Sequence, residues 1–336
     1  MPEEVRRMGE MRAKALEGWD KLLTWTLAPR NRDYILKVPA ETNVFFGDHK
    51  ALEDFDRNYG HFSPYHPIVG LYSPSPRDRE VTNCLLEAID AADMEEEERR
   101  FAVNEVLAKV VAYLSLEKGM KIPIPVVQKG GKHQIVTYVV DEVIDIWHGM
   151  PAFGMIPQSG KGVPILLFRG TDLSLASEKG WASIFSDLDT AGPGYTSFLQ
   201  GIGGLKTWLK KMAREHEPAR LIGFSLGGVF ALYTLIHEYP LVSIEAPSVA
   251  FNPPGVSEEV LKEWDLVPVR FRPPQITYVN QGDFVSQVGL FLEDVWELSI
   301  PEKMMVIQAH LTLISAQPKV FARAVDVEAV NKMRKK

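Results

Sequence analysis

One cysteine, Cys84, stands in 336 residues. A single thiol excludes an intrachain disulfide and any metal site built from several cysteines. Its surroundings, VTNCLLEAID, read as helix, and the thiol reads as a small core residue. A basic excess is missing too. Against 37 Lys and Arg stand 44 Asp and Glu, a formal net charge of −7. Nucleic-acid surfaces carry a surplus of positive charge, so no nucleic-acid partner is expected. No apolar run approaches the roughly 18 residues of a membrane-spanning helix. The first residues, MPEEVRRMGEMRAKALEGWDKLL, are charged throughout and lack the apolar centre of a secretion signal. These absences predict a chain without a transmembrane segment, cytoplasmic by default, with export by a signal-less route left open. Histidines number only eight. Two of them, His61 and His66, fall in an aromatic and proline-rich stretch and read as loop histidines, not ligands. Neither a metal nor an organic cofactor is expected.

What is present is an ordinary globular composition, 46% hydrophobic and 24% charged, enough for one large domain or two small ones. Residues 3–26 read as an amphipathic helix with Met8, Met11, Ala15, Leu22 and Trp25 near one stripe. Residues 43–76 read as loop. The stretch SPRDREVTNCLLEAIDAADMEEEERRFAVNEVLAKVVAYLSLEKG reads as two helices, its EEEERR run a solvated face. Residues 1–118 are thus expected to form a mainly helical N-terminal region.

After Gly119 the pattern changes. IPIPVVQ and HQIVTYVVDEVIDIW, joined by KGGK, predict a β-hairpin, and PAFGMIP and VPILLF two further strands. Strands then alternate with helices: a helix near 198–216, a strand at 219–224, a helix at 226–239, a strand at 275–280 and a C-terminal helix near 315–335. Such alternation predicts an α/β unit over residues 119–336, with a mostly parallel central sheet flanked by helices.

Within that unit GFSLG, residues 223–227, fits G-x-S-x-G. A serine on a sharp strand-to-helix turn holds a strained backbone, and side chains two positions to either side would collide. Gly223 and Gly227 remove those side chains, and Gly228 lets the helix approach the sheet. The turn lifts the Ser225 hydroxyl to a helix N-terminus, where backbone N–H groups and the helix dipole favour developing negative charge. Flanked by an apolar strand and an apolar helix, the motif reads as a nucleophile elbow.

A serine hydroxyl needs a base, and the base an orienting carboxylate. The chain order expected with such an elbow is Ser, acid, His. Two histidines follow Ser225. His237 lies on the helix that begins at the nucleophile and points away, which leaves His310. Three aspartates fall between Ser225 and His310: Asp265, Asp283 and Asp294. Asp283 follows the strand ITYVN and a glycine turn, at the strand's C-terminal edge where ligand-handling groups collect. Asp265 precedes that strand and Asp294 lies in a helical-looking stretch, so Asp283 is the expected acid. The backbone N–H of Leu226 supplies one oxyanion donor. Thr171, in the segment VPILLFRGTD, supplies another through its N–H and hydroxyl.

The segments ILLFRGTD, SDLD, IGFSLGGVFA, YVNQGDFVSQV and QAHL, in that order, resemble the class 3 (fungal-type) lipase family of α/β-hydrolases over residues 150–312. The resemblance implies the same assignments: Ser225 nucleophile, Asp283 acid, His310 base, Thr171 and Leu226 as oxyanion hole. It also implies an amphipathic lid after the FRGT segment. In this chain residues 172–200 offer Trp181, Ile184 and Phe185 as apolar lid and substrate-contacting groups, with hinges at Gly180 and AGPG. The expected activity is hydrolysis of lipid acyl esters, glyceride or phospholipid, at a membrane or lipid-droplet surface. A small-ester esterase, an acyltransferase and a catalytically idle hydrolase fold used for binding are the alternatives.

Overall fold

A computed structural model describes residues 42–45, 50–59, 76–127, 132–147, 150–159, 161–171, 192–301, 304, 306–317 and 319–335. Its strands are β1 (Thr42–Phe45), β2 (Lys121–Val127), β3 (His133–Trp147), β4 (Met150–Pro157), β5 (Ile165–Phe168), β6 (Arg220–Phe224), β7 (Ser248–Phe251), β8 (Gln275–Asn280), β9 (Val295–Ser299) and β10 (Val320–Ala324). Its helices are α1 (Lys50–Tyr59), α2 (Pro76–Ala91), α3 (Glu96–Lys109), α4 (Tyr195–Glu215), α5 (Leu226–Glu238), α6 (Glu258–Leu266), α7 (Val306–Leu311) and α8 (Val327–Arg334). All ten strands join one sheet in the order β1-β10-β9-β8-β7-β6-β5-β4-β3-β2. The chain is α/β, with a mixed sheet.

The expectation of a mostly parallel sheet is corrected here. Strands β5 to β9 pair in parallel, whereas β2 to β5 and the β9-β10-β1 edge pair antiparallel. Connection length decides the difference. Short links join β2 to β5 and can only return the chain antiparallel. The long excursion from β5 to β6, which carries α4, is what a parallel crossover requires.

The central parallel strands β5, β6 and β7 bury apolar residues on both faces, as a sheet covered on both sides demands. In β5 all four residues, Ile165 to Phe168, are buried. Ile165, Leu167, Ile222, Phe224, Val249 and Phe251 pack on one side with α1, α2 and α3. On the other, Leu166, Phe168, Leu221 and Ala250 pack with α4, α5 and α6. A register slip between Val140 and Glu142 moves the even-numbered side chains of β3 from the first face (Val136, Tyr138, Val140) to the second (Ile144, Ile146). A one-residue slip does this because side chains alternate with period two. The described helices of the first 118 residues share their core with the sheet; Leu86 and Val106 belong to the same apolar cluster as Leu167 and Phe224.

Four readings change. Cys84 is exposed, because α2 buries Thr82, Leu85, Leu86 and Ile89 and leaves Glu80, Cys84 and Glu87 on the opposite face. The stretch 43–76, expected as loop, contains most of β1 and all of α1. In place of one C-terminal helix near 315–335, VFARA forms β10 and only 327–334 is α-helical. Val320 and Ala322 bury on alternate positions against the sheet, a period of two that a helix cannot provide. Asp294, expected in a helical stretch, has φ of 51° and immediately precedes β9. The amphipathic pattern at 3–26 and His61 and His66 lie outside the described residues.

Candidate active site

Strand β6 ends at Phe224, and Ser225 takes φ 56° and ψ −128° before α5 begins at Leu226. A non-glycine residue there carries strain on the order of 1–3 kcal/mol. Close packing imposes the turn. A Cβ on Gly223 would run into the Gly227 carbonyl group, and one on Gly227 would lie 2.6 Å from the Phe168 carbonyl oxygen. The Ser225 N–H donates to the Phe251 carbonyl at 3.0 Å, and the Ser225 carbonyl accepts from Gly228 N–H at 2.9 Å and Val229 N–H at 3.2 Å. The Leu226 N–H, two residues before Gly228 in that first turn, has no backbone acceptor among the described residues. It is a donor at the positive end of the α5 dipole.

The segment after β5 lies directly against this turn. A Cβ on Gly170 would sit 2.7 Å from both the Phe224 carbonyl oxygen and the Tyr113 hydroxyl, and 3.3 Å from Gly227 N. Arg169 stacks over the Tyr113 ring, 5.6 Å from its centroid. Thr171, the next residue after Gly170, is partly exposed on this segment. The parallel register accounts for the meeting, since Phe168 pairs with Gly223 and brings the C-terminal ends of β5 and β6 level.

His310 lies on the short helix α7, and its ring joins two elements. Nε2 is 2.9 Å from the Ser225 hydroxyl oxygen, and Nδ1 is 2.9 Å from Asp283 Oδ1. The ring packs on Phe224, 4.8 Å between centroids, and on Phe284 at 5.8 Å. Asp283 is fully buried, and its charge is met by donors. Oδ1 also accepts from Val285 N–H at 3.2 Å; Oδ2 accepts from Ser286 N–H at 3.1 Å and from the Ser286 hydroxyl. Such a carboxylate fixes the imidazole tautomer with Nδ1–H toward it and leaves Nε2 free to accept a proton from serine. Ser225 is the most exposed of the three at 6%, against 1% for His310.

Besides Ser286, two asparagines of this site escaped the sequence reading. Asn252, at φ 45° just past β7, donates through Nδ2 to the His310 carbonyl at 2.8 Å. Its Oδ1 accepts from Asn280 N–H at 2.8 Å. Asn280, the last residue of β8, donates through Nδ2 to the Ala309 carbonyl at 2.8 Å. Two asparagines at adjacent strand ends therefore hold the backbone of the histidine helix. The available signal was their position: each ends or follows an apolar strand on the edge that carries Ser225 and Asp283.

The competing residues are elsewhere. His237 bonds through Nε2 to the Tyr195 hydroxyl at 3.0 Å, and burial lowers its pKa. Asp265 sits on α6, and Asp294 accepts from the Trp296 indole N–H at 2.9 Å. Trp181, Ile184 and Phe185, the expected lid residues, lie outside the described residues. Of the proposed lid span, residues 195–200 are instead the first turns of α4, with Phe198 buried in the core. Among the described residues no group of three or more His, Cys, Asp or Glu is placed to hold a metal ion, and no helix is long and apolar enough to cross a membrane. A scan against protein-family models and a search of curated proteins return no match.

Proposed function

We propose that this chain is a serine hydrolase of the α/β-hydrolase fold that cleaves carboxylic esters, with lipid acyl esters as the substrate class. The observation that carries the reading is the continuous chain from the Ser225 hydroxyl through the His310 ring to the buried Asp283 carboxylate, 2.9 Å at each step. Its topology supports the same reading. The nucleophile follows the second strand of the parallel run, the acid the fourth and the base the fifth. The lipid preference rests on the family resemblance and on the apolar content of residues 172–188.

The chemistry follows from the groups present. His310 Nε2 takes the hydroxyl proton as Ser225 Oγ bonds to the ester carbonyl carbon. The carbonyl oxygen, now anionic, receives the Leu226 N–H and the Thr171 donors, each of which is worth ~3–4 kcal/mol in such a role. Collapse of the tetrahedral species expels the alcohol, which leaves with the proton from His310, and the acyl group stays on Ser225. Water then adds to the acyl carbon as His310 takes its proton. The acid departs, and Ser225 recovers its hydrogen. Asp283 keeps its bond to Nδ1 throughout and stabilises the imidazolium.

The test is a hydrolysis profile across acyl lengths and across glyceride and phospholipid substrates, run beside Ser225→Ala. The wild-type chain should hydrolyse esters and accept a serine-reactive phosphonate on Ser225, and the variant should do neither while remaining folded. Labelling of another serine, or full activity in the variant, would overturn the reading.

A further inference from the structure

Glu105 and Lys109 lie one turn apart on α3, and both side chains are buried, 0% and 1% exposed. Charged groups this deep are expensive to desolvate, and apolar residues of similar volume often serve stability as well or better. The pair therefore calls for an explanation other than packing. Its bonds supply one, because among the described residues its long-range bonds reach the segment that follows His310. Lys109 Nζ donates to Glu105 Oε1 at 2.6 Å and to the Thr312 carbonyl at 2.6 Å. Glu105 Oε1 accepts from Ile314 N–H at 2.9 Å; Oε2 accepts from Ser315 N–H at 2.8 Å and from the Ser315 hydroxyl at 2.6 Å.

The other face of the ammonium meets aromatic rings. Lys109 Nζ stands 5.6 Å from the centroid of Phe224 and 5.8 Å from that of Phe251. Phe224 is the residue before Ser225, and its ring is one of the two on which His310 packs. One ion pair thus grips the chain two to five residues beyond the histidine and also supports the ring beneath it. On the other side, Asn252 and Asn280 hold the carbonyls of His310 and Ala309. Helix α7 has six residues, too few to keep a fixed position by its own hydrogen bonds.

We infer that Glu105 and Lys109 are positioning residues: a buried clamp, contributed by the helical N-terminal region, that sets the approach of the His310 ring to Ser225 and Asp283. The role of a positioner for catalysis rests on the hydrolase reading above; the geometric role does not. Misplacing a base by about 1 Å can lower turnover by about 10²-fold. The clamp acts at a point where such a shift matters most.

The experiment compares the wild-type chain with Glu105→Gln/Lys109→Met, which removes both charges together and strands neither. With circular dichroism unchanged, kcat should fall by about 10- to 100-fold at nearly constant KM, and the alkaline and acid limbs of the pH–rate profile should move. In a His310→Ala background the same pair of changes should alter residual hydrolysis little, because the clamp works through the histidine. A second readout needs no activity. The far-downfield proton resonance of the His310 Nδ1–H bonded to Asp283 should be present in the wild type and lost or displaced in the double variant. An unchanged resonance and unchanged kcat in a folded double variant would overturn the inference, as would equal losses with and without His310. Where the double variant does not fold, Ser315→Ala removes one arm alone. It should shift the resonance and lower kcat in the same direction, and no change in either is again refutation. If the wild type hydrolyses no ester and takes no phosphonate, the hydrolase reading fails, and the resonance still decides the clamp.

Discussion

Replacing Asp283 by asparagine is the sharpest perturbation of the site, because shape is kept and only the donor pattern changes. In the wild type, Oδ2 accepts twice from Ser286, through its N–H and its hydroxyl, while Oδ1 accepts from Val285 N–H and from His310 Nδ1. An asparagine has one acceptor oxygen and one NH2 group. If the oxygen takes the Oδ2 position, the NH2 group faces His310 Nδ1 and forces that nitrogen to accept. The ring proton then moves to Nε2, 2.9 Å from the Ser225 hydroxyl, and the base can no longer take the serine proton. In either orientation the NH2 group also meets a backbone N–H, that of Val285 in this arrangement and that of Ser286 if the amide turns the other way, a donor facing a donor at a cost of about 1–3 kcal/mol for the unsatisfied group. The backbone cost is the same in both, and the first arrangement is the inactive tautomer. The expected fall in kcat is about 10⁴-fold, equivalent to about 5.5 kcal/mol of transition-state stabilisation. Stopped-assay hydrolysis of a short-chain nitrophenyl ester measures it, with thermal melting as the control for folding. A folded Asp283→Asn protein that keeps more than a tenth of wild-type kcat would refute this account of how the carboxylate acts.

Gly223→Ala should unfold or strongly destabilise the elbow, since its Cβ would strike the Gly227 carbonyl group; urea denaturation should show a loss of more than about 2 kcal/mol. Asp56 on α1 has its pKa raised from 3.8 to about 6, first by burial and then by the Glu105 charge. The folded chain therefore holds that proton more tightly than the unfolded one, so the stabilisation is full below about pH 4 and is lost as pH rises through about 6. Asp56→Asn should accordingly gain about 1–3 kcal/mol over wild type at pH 7.5 and little at pH 4.5; equal denaturation midpoints at pH 7.5 would contradict it. Titration of a short-chain ester through its solubility limit should show a rise in rate once aggregates form, and Trp181→Ser should blunt that rise. A smooth saturation curve in both proteins would point to an ordinary esterase.

The sequence alone was enough to locate the strand-to-helix turn at Ser225, because that turn is local. Two glycines flank a hydroxyl where an apolar strand-like run meets an apolar helix-like one, and every constraint lies within a dozen residues. It was enough, too, to narrow the histidine beside Ser225 to His310 and to favour Asp283 as the carboxylate beside that ring, since chain order and strand ends left few candidates. Sheet direction was only half legible. The alternation of strands and helices was visible, but the antiparallel edges at β2 to β4 and at β10 depend on which strands become neighbours. Cys84 was misjudged because a helical pattern states which face is apolar only when the whole stripe, Thr82 to Ile89, is weighed. The supporting residues were beyond reach for a different reason. Glu105 bonds to Ser315 across 210 residues, and Asn252 to His310 across 58. In sequence a Glu and a Lys four apart read as a solvated helix pair, and an asparagine after a strand reads as a turn. Only the packing of α3 against β6 excludes water from that pair and turns its hydrogen bonds toward the chain beyond His310.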